Sequence, residues 1–287
     1  MTVHPVASIG AQHPRVRDLL TLRKDGSPGR IMVEGGWEHD RLLTTTAIIE
    51  TLFWCPEAAP AYVSRTTDRA LPDDVGRTTD RALPDDVGRI ADRALEVYRI
   101  SAKLLARLSR KTRSDGLISI ARLPEWHRHA FQFTEESLVL VADGVEYAGN
   151  LGTLIRTADA AKVDCLILTS RRARPTHPAV YSASRGTVLS TPILEFDDIP
   201  AAAAWLRSHR FHVHLADPAA TGSYRIPRYD GPTAFVVGSE GSGLSREWHA
   251  EGFGAVSIPM LGQADSLNVA LSAGILLFEA RARKEGW

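Results

Sequence analysis

Cysteine is scarce in this chain. Only Cys55 and Cys165 occur among 287 residues. They give no zinc spacing and no disulfide framework, so a reducing cytoplasm is the expected setting. Long apolar runs are missing too. No stretch approaches the ~20 continuous apolar residues of a membrane span, and the opening "MTVHPVASIG" lacks the apolar core of a secretory leader, so no membrane partner is expected. Net charge is absent, with Lys+Arg 34 against Asp+Glu 34. Nucleic-acid binding would therefore rest on local patches rather than on a global field. Lysine is rare, 5 against 29 arginines, a skew that reflects a GC-rich genome and also suits phosphate recognition.

Both common phosphate-cradling glycine patterns are lacking. "FVVGSEGSGLS" places Gly238, Gly241 and Gly243 directly after a strand-like run. Its order is G-x-x-G-x-G, with no acidic residue at a strand end some 20 positions on and no G-K-[ST], which disfavours a dinucleotide- or ATP-dependent enzyme. What is present from residue 137 onward is a series of short apolar runs: "SLVLVADGV", "CLILTS", "FHVHLAD" and "TAFVVGSE". Each is followed by a turn and usually a helical segment. Continuous apolar strands alternating with helices predict an α/β fold with a parallel sheet covered on both faces. Ligands of such sheets bind at the carboxyl ends of the strands.

The N-terminal half reads differently. "RTTDRALPDDVG" occurs twice in tandem, at 65–76 and 77–88. Its period is too short for a helical solenoid, so a duplication in a surface helix or loop is expected. From Ile90 to Arg113 the pattern predicts one helix, on which Arg99, Lys103, Arg107 and Lys111 share a face. Such a row is either a solvated face or a set of phosphate contacts. "GLISIARL" reads as a strand, and "PEWHRHAFQF" as a linker. The chain thus divides into residues 1–122, a linker at 123–136, and residues 137–287.

Three loops follow the C-terminal strands. In "NLGTLIRTADA" Asn150 is placed to cap a helix that carries Arg156 in its second turn; a plain capped helix with an exposed arginine explains that loop alone. In "IPMLGQADSLNVALSAGILLFEA" Leu267, Leu271, Ile275 and Phe278 mark a helix with Ser266 as its N-cap, preceded by more polar residues than a cap needs. Together with "VVGSEGSGLS", these stretches resemble, in order and spacing, the three motifs of the SpoU/TrmH-type RNA ribose 2′-O-methyltransferases of the SPOUT superfamily. The resemblance covers roughly residues 138–283.

That resemblance implies a deep trefoil knot in the C-terminal domain and a homodimer with active sites at the interface. It also implies S-adenosylmethionine (AdoMet) as methyl donor, with no metal. The main chain at Gly238, Ile258 and Leu267 would hold the adenosine, and Asn150, Arg156, Glu240, Ser266 and Asn268 would form the catalytic set. Arg156 would be a base, or a cation that holds the adjacent phosphate and the forming alkoxide, since a guanidinium rarely gives up its proton. The smaller α/β N-terminal domain resembles the ribosomal-protein-like RNA-binding domains of members acting on large-subunit ribosomal RNA. The layout and the arginine content look most like the actinomycete antibiotic-resistance enzymes of avilamycin or thiostrepton type. Arg99, Lys103, Arg107 and Lys111, with Arg171, Arg172 and Arg174 of "RRAR", would contact RNA phosphates. A housekeeping ribosomal- or transfer-RNA methyltransferase and a non-catalytic assembly factor are the alternatives.

Overall fold

The computed structural model describes residues 6–58 and 85–287; the duplication, apart from residues 85–88, lies outside them. The chain divides into two compact units at Pro124/Glu125.

Unit 1 is built on a five-stranded mixed sheet in the order β1-β4-β3-β5-β2. These are β1 (Ala7–Ser8), β2 (Arg30–Glu34), β3 (Ile48–Trp54), β4 (Ala94–Arg99) and β5 (Leu117–Arg122). β5 runs antiparallel to β2 and β3, whereas β4 is parallel to β1 and β3. The helices are α1 (Pro14–Asp25), α2 (Gly36–Leu43), α3 (Asp85–Ala91) and α4 (Ala102–Leu108). Val16, Leu19 and Leu22 of α1 and Leu104, Leu105 and Leu108 of α4 pack with Phe53, Ile118 and Ile120 of the sheet.

The single helix expected over 90–113 is not formed. Ala94–Arg99 is a strand between β1 and β3, because ladder pairing outweighs local helical pattern there. Ser101 then starts a separate helix, its hydroxyl accepting the Leu104 N–H at 3.3 Å. Arg99 therefore ends a strand, Lys103 and Arg107 lie on α4, and Lys111 lies beyond it.

Unit 2 carries a wholly parallel six-stranded sheet, order β11-β9-β10-β6-β7-β8. β6 (Leu138–Asp143), β7 (Cys165–Thr169), β9 (His212–Ala216) and β10 (Thr233–Val237) are the four apolar runs seen in the sequence. β8 (Ile193–Glu195) and β11 (Gly254–Val256) extend the two edges. Val139 and Val141 face α7 (Ile199–Ser208) and Trp248 of α8 (Arg246–Ala250). α5 (Ala148–Ala160) and α9 (Val269–Glu285) pack together on the opposite face, with α6 (Pro178–Ser184) behind α5. The segment expected as a linker is largely part of this unit. Phe131 and Phe133 pack on the α7 side, Phe133 edge-on to Trp205 and Phe211 at 5.5 and 4.8 Å. Aromatic anchoring has no periodicity, so the sequence pattern missed it.

α9 is fixed at its far end by cations on main-chain carbonyls. Buried Arg281 donates to the carbonyls of Ala161, Glu136 and Lys162. Lys284 donates to those of Glu135, Tyr229 and Gly231. The buried face of α9 is Val269, Ala270, Ala273, Leu276, Leu277 and Ala280. Of the stripe that marked the helix in the sequence, Leu271 (54% exposed) and Phe278 (42%) face outward.

Two outcomes are expected. Gly152 of α5 meets α6 so closely that an added Cβ would lie 2.6 Å from the Ala183 Cβ and 2.6 Å from the Val180 carbonyl oxygen. Gly152→Ala should therefore lower unfolding free energy by about 1–3 kcal/mol in urea titrations, despite its better helix propensity. In unit 1, His39 is fully buried, with Nδ1 2.6 Å from the Gly35 carbonyl and Nε2 2.7 Å from Ser119 Oγ. Burial, helped by the Lys111 charge, lowers its pKa from 6.5 to about 4. The fold thus prefers the neutral ring. Its contribution is whole above pH 6.5 and is lost as pH falls from there to about 4. The loss should be on the order of 2–3 kcal/mol, and His39→Gln should flatten that part of the stability-pH curve. An imidazole signal from His39 titrating near pH 6.5 would contradict this.

Candidate active site at the carboxyl ends of the unit 2 strands

Because every strand of unit 2 runs the same way, the loops after β6, β7, β9, β10 and β11 emerge on one edge. Buried Asp143, the last residue of β6, ties this edge together. It accepts from Thr169 Oγ1 at 3.0 Å and Ser170 Oγ at 2.8 Å after β7, and from the Ser245 N–H at 3.1 Å beyond the glycine loop. Asp143 was not singled out from sequence. The available signal was a carboxylate ending an otherwise apolar run.

The glycine loop after β10 closes on itself, with Ser239 and Gly243 exchanging two main-chain hydrogen bonds of 3.0 Å. A Cβ at Gly238 would overlap Gly243 and Leu244. Glycine at 238 is thus required by closure of the loop.

The loop projects Glu240 toward the start of α5. Glu240 Oε1 accepts from Asn150 Nδ2 at 2.5 Å, and Glu240 Oε2 accepts from the Glu146 N–H at 3.3 Å. Asn150 Oδ1 in turn accepts from Asn268 Nδ2 at 3.1 Å. Asn268 Oδ1 caps α9 by accepting from the N–H groups of Ala270 and Leu271. One directed chain, Glu240–Asn150–Asn268–α9, therefore joins the three motif loops. Two capping expectations change with it. Asn150 sits in the first turn of α5, which begins at Ala148, and the cap of α9 is Asn268 rather than Ser266. In each case the side chain with the better-placed acceptor or a neighbouring loop partner decides.

The rest of the predicted set is not gathered in one chain. Arg156 is exposed and has no hydrogen bond or ion pair with any described residue. Six residues past Asn150, it lies about 9 Å along the helix and roughly 240° around it. Ser266 donates only to Asp265 Oδ1, at 3.2 Å. Arg171 pairs with Glu195, and Arg172 with Glu146, while Arg174 is exposed. Residues 258–267, which include Ile258 and Leu267, make no main-chain hydrogen bond to a described residue. These residues thus offer free C=O groups and, except at Pro259, free N–H groups beside the motif loops. Such a surface can read a purine through the backbone. Among the described residues there is no metal-binding cluster of His, Cys, Asp and Glu, and no helix long and apolar enough to cross a membrane.

The profile of the SpoU rRNA Methylase family matches residues 137–278. An uncharacterized tRNA/rRNA methyltransferase of Synechocystis is 30% identical over 187 residues, covering 65% of this chain and 68% of its own. A Staphylococcus haemolyticus protein of the TrmH tRNA/rRNA methyltransferase family is 33% identical over 148 residues, and there the chain covers 59% of the relative's length. Among solved structures, an RNA 2′-O ribose methyltransferase aligns over 98% of this chain and all of its own, with TM-score 0.72 and 28% identity. An AdoMet-bound rRNA methyltransferase from Sinorhizobium meliloti aligns over 96% of both chains, with TM-score 0.78 and 26% identity. With its motif loops joined through Asn150, and on the strength of these matches, the chain belongs to the SpoU rRNA methylase family.

Proposed function

We propose that the protein transfers a methyl group from AdoMet to a ribose 2′-hydroxyl of large-subunit ribosomal RNA, as a homodimer, and protects the ribosome of an antibiotic producer. The observation that carries this reading is the Glu240–Asn150–Asn268 chain, which holds three loops of family-like sequence at one sheet edge. The 2′-O ribose and AdoMet assignments are supported by the two solved structures above, which align along both units. Alignment through unit 1 with an rRNA enzyme favours ribosomal over transfer RNA. The producer setting is supported by arginine-rich composition and two-unit layout.

The main chain at Gly238, Ile258 and Leu267 would hold the adenosine, consistent with the unbonded backbone of 258–267. AdoMet supplies a sulfonium methyl reactive enough for one-step displacement. The protein must bring the hydroxyl oxygen into line and stabilise it as its proton leaves. Glu240 and Asn150 are suited to fixing the loops and a ribose hydroxyl. Arg156 is the residue proposed at the hydroxyl, as base or as cation on the adjacent phosphate and alkoxide, with Ser266 and Asn268 orienting it. Its outward course from α5 favours action in the partner's site. Outward Leu271 and Phe278 on neighbouring α9 offer an apolar surface for that partner. The trefoil knot would arise where the 217–231 segment meets the chain after β11. There Ser257 bonds both Gly222 and Tyr224 through the main chain.

Radiolabel transfer from AdoMet to ribosomal RNA, with the 2′-O-methyl position mapped, tests the reaction. Arg156→Ala should reduce the rate by about 10²-fold or more if it stabilises the developing oxyanion, with AdoMet affinity unchanged. A variant retaining most of its activity would remove Arg156 from the chemistry. Label near a drug site would support the protective role, and label elsewhere would point to housekeeping. Asn268 gives a second test. Asn268→Asp keeps the α9 cap but cannot donate to Asn150, so activity should fall with little change in stability. Asn268→Ala should also lose about 1 kcal/mol of stability. Equal activity in both variants and the parent would dismiss the three-loop chain as a functional device.

A further inference from the structure

We infer that the first turn of α5 seats the target nucleotide, with its base stacked on Tyr147 and its sugar-phosphate passing over Gly149 toward Asn150. The inference rests on the RNA-methylating reading above and gives the substrate two residues that the motif set does not contain.

Two choices at this helix start run against helix stability, and nothing among the described residues compensates for either. The first is Tyr147, the N-cap of α5, which makes no side-chain capping bond. A Ser, Thr, Asp or Asn there would satisfy a free N–H. The chain supplies such caps elsewhere: Asp198 starts α7 by accepting from the Ala201 N–H at 2.7 Å, and Asn268 starts α9. Tyr147 is also 64% exposed, and its ring and hydroxyl have no partner among the described residues.

Gly149 is the second. Glycine weakens a helix relative to alanine. Its φ is not left-handed, and an added Cβ would have nothing within 4 Å. Gly152, on the next turn, shows the contrast, since α6 leaves it no room for a side chain. A glycine that neither backbone conformation nor packing requires suits the close approach of a ligand. Local rules broken without an internal gain mark functional positions.

The mount is fixed, and it adjoins the three-loop chain. The Glu146 N–H donates to Glu240 Oε2, and the Tyr147 carbonyl accepts from the Leu151 N–H at 3.0 Å. Main-chain bonds thus hold Tyr147 from both sides. Side chains at an N-cap and at the third helical position are neighbours, which sets Tyr147 beside Asn150. In the reading above AdoMet takes the backbone at 238 and 258–267, so this turn is left to the RNA. An exposed aromatic ring stacks any base that has left its helix. It gives affinity for an unpaired nucleotide, but not base identity.

The test measures methyl transfer to ribosomal RNA by the full chain, as parent, Tyr147→Ser, Tyr147→Phe and Gly149→Ala. Thermal midpoint, AdoMet affinity and oligomeric state are recorded for each. Tyr147→Ser supplies a cap and Gly149→Ala a better helix former, so both should raise the midpoint by roughly 2 °C. Activity should move the other way. Tyr147→Ser should raise the KM for RNA at least about five-fold, with kcat within about two-fold, because stacking is lost while the reacting groups stay. Tyr147→Phe keeps the ring face and should bring KM back toward the parent. Gly149→Ala should lower kcat/KM at least about ten-fold by displacing the nucleotide. AdoMet affinity should hold throughout. An unchanged KM in Tyr147→Ser, equal losses in Tyr147→Ser and Tyr147→Phe, or a lower midpoint in Gly149→Ala would overturn the seat and leave the methyltransferase reading intact. Weakened AdoMet binding would also overturn it and assign the turn to the cofactor. A changed oligomeric state would overturn it in favour of a contact between copies of the chain. A parent that transfers no methyl group to any RNA would sink the methyltransferase reading, and the seat with it.

Discussion

One amide has to satisfy two demands at once. The Asn150 side chain donates to Glu240 and accepts from Asn268, and no other side chain type of that size can do both in a fixed direction. An aspartate would face Glu240 with a second negative charge, and a leucine would remove the partners of Glu240 Oε1 and Asn268 Nδ2. Through this amide the glycine loop, the start of α5 and the start of α9 are held in register, although they lie 90 and 118 residues from Asn150 in sequence. The parallel sheet makes the meeting possible, since it delivers all three loops to one edge. Asp143 fixes that edge from below.

The two units divide the physical work. Unit 2 puts most of its polar chemistry into loop positioning and leaves a long backbone segment unbonded. Unit 1 has a closed core and distributes cations over its surface. Its arginines repeatedly serve the main chain first. Arg93 alone donates to the carbonyls of Leu42, Leu43, Thr45 and Ala47. An arginine-rich composition is therefore partly structural here. In "RRAR", Arg171 and Arg172 remain exposed while paired with Glu195 and Glu146.

Much of unit 2 was legible in the sequence. Four short apolar runs announce parallel strands, and each proved to be one, three of them buried throughout and β9 half-buried. β8 and β11, three residues each, carry too few positions to show a pattern. The strand over 94–99 was misread as helix because it is only partly buried and leaves Leu95 exposed, so no alternating apolar face marks it. For the site, Asn150, Glu240 and Asn268 were named and were brought together. Asn268's capping role and the placement of Arg156 away from them depend on helix phase, which a one-residue change in the start point alters by 100°. Arg281 and Lys284 bond largely to backbone carbonyls, and no side-chain motif discloses such partners.

The anchoring of α9 ties the last helix back to the first residues of unit 2. Arg281 and Lys284 reach carbonyls separated from them by 120, 145 and 149 residues. Contacts that close loops of this size come late and slowly, because the chain entropy is lost before the bonds form. Asn268 rides on the same helix. The piece that completes the three-loop junction thus rides on a helix whose far end is held by backbone carbonyls, so whatever loosens Arg281 or Lys284 loosens the seat of Asn268 as well.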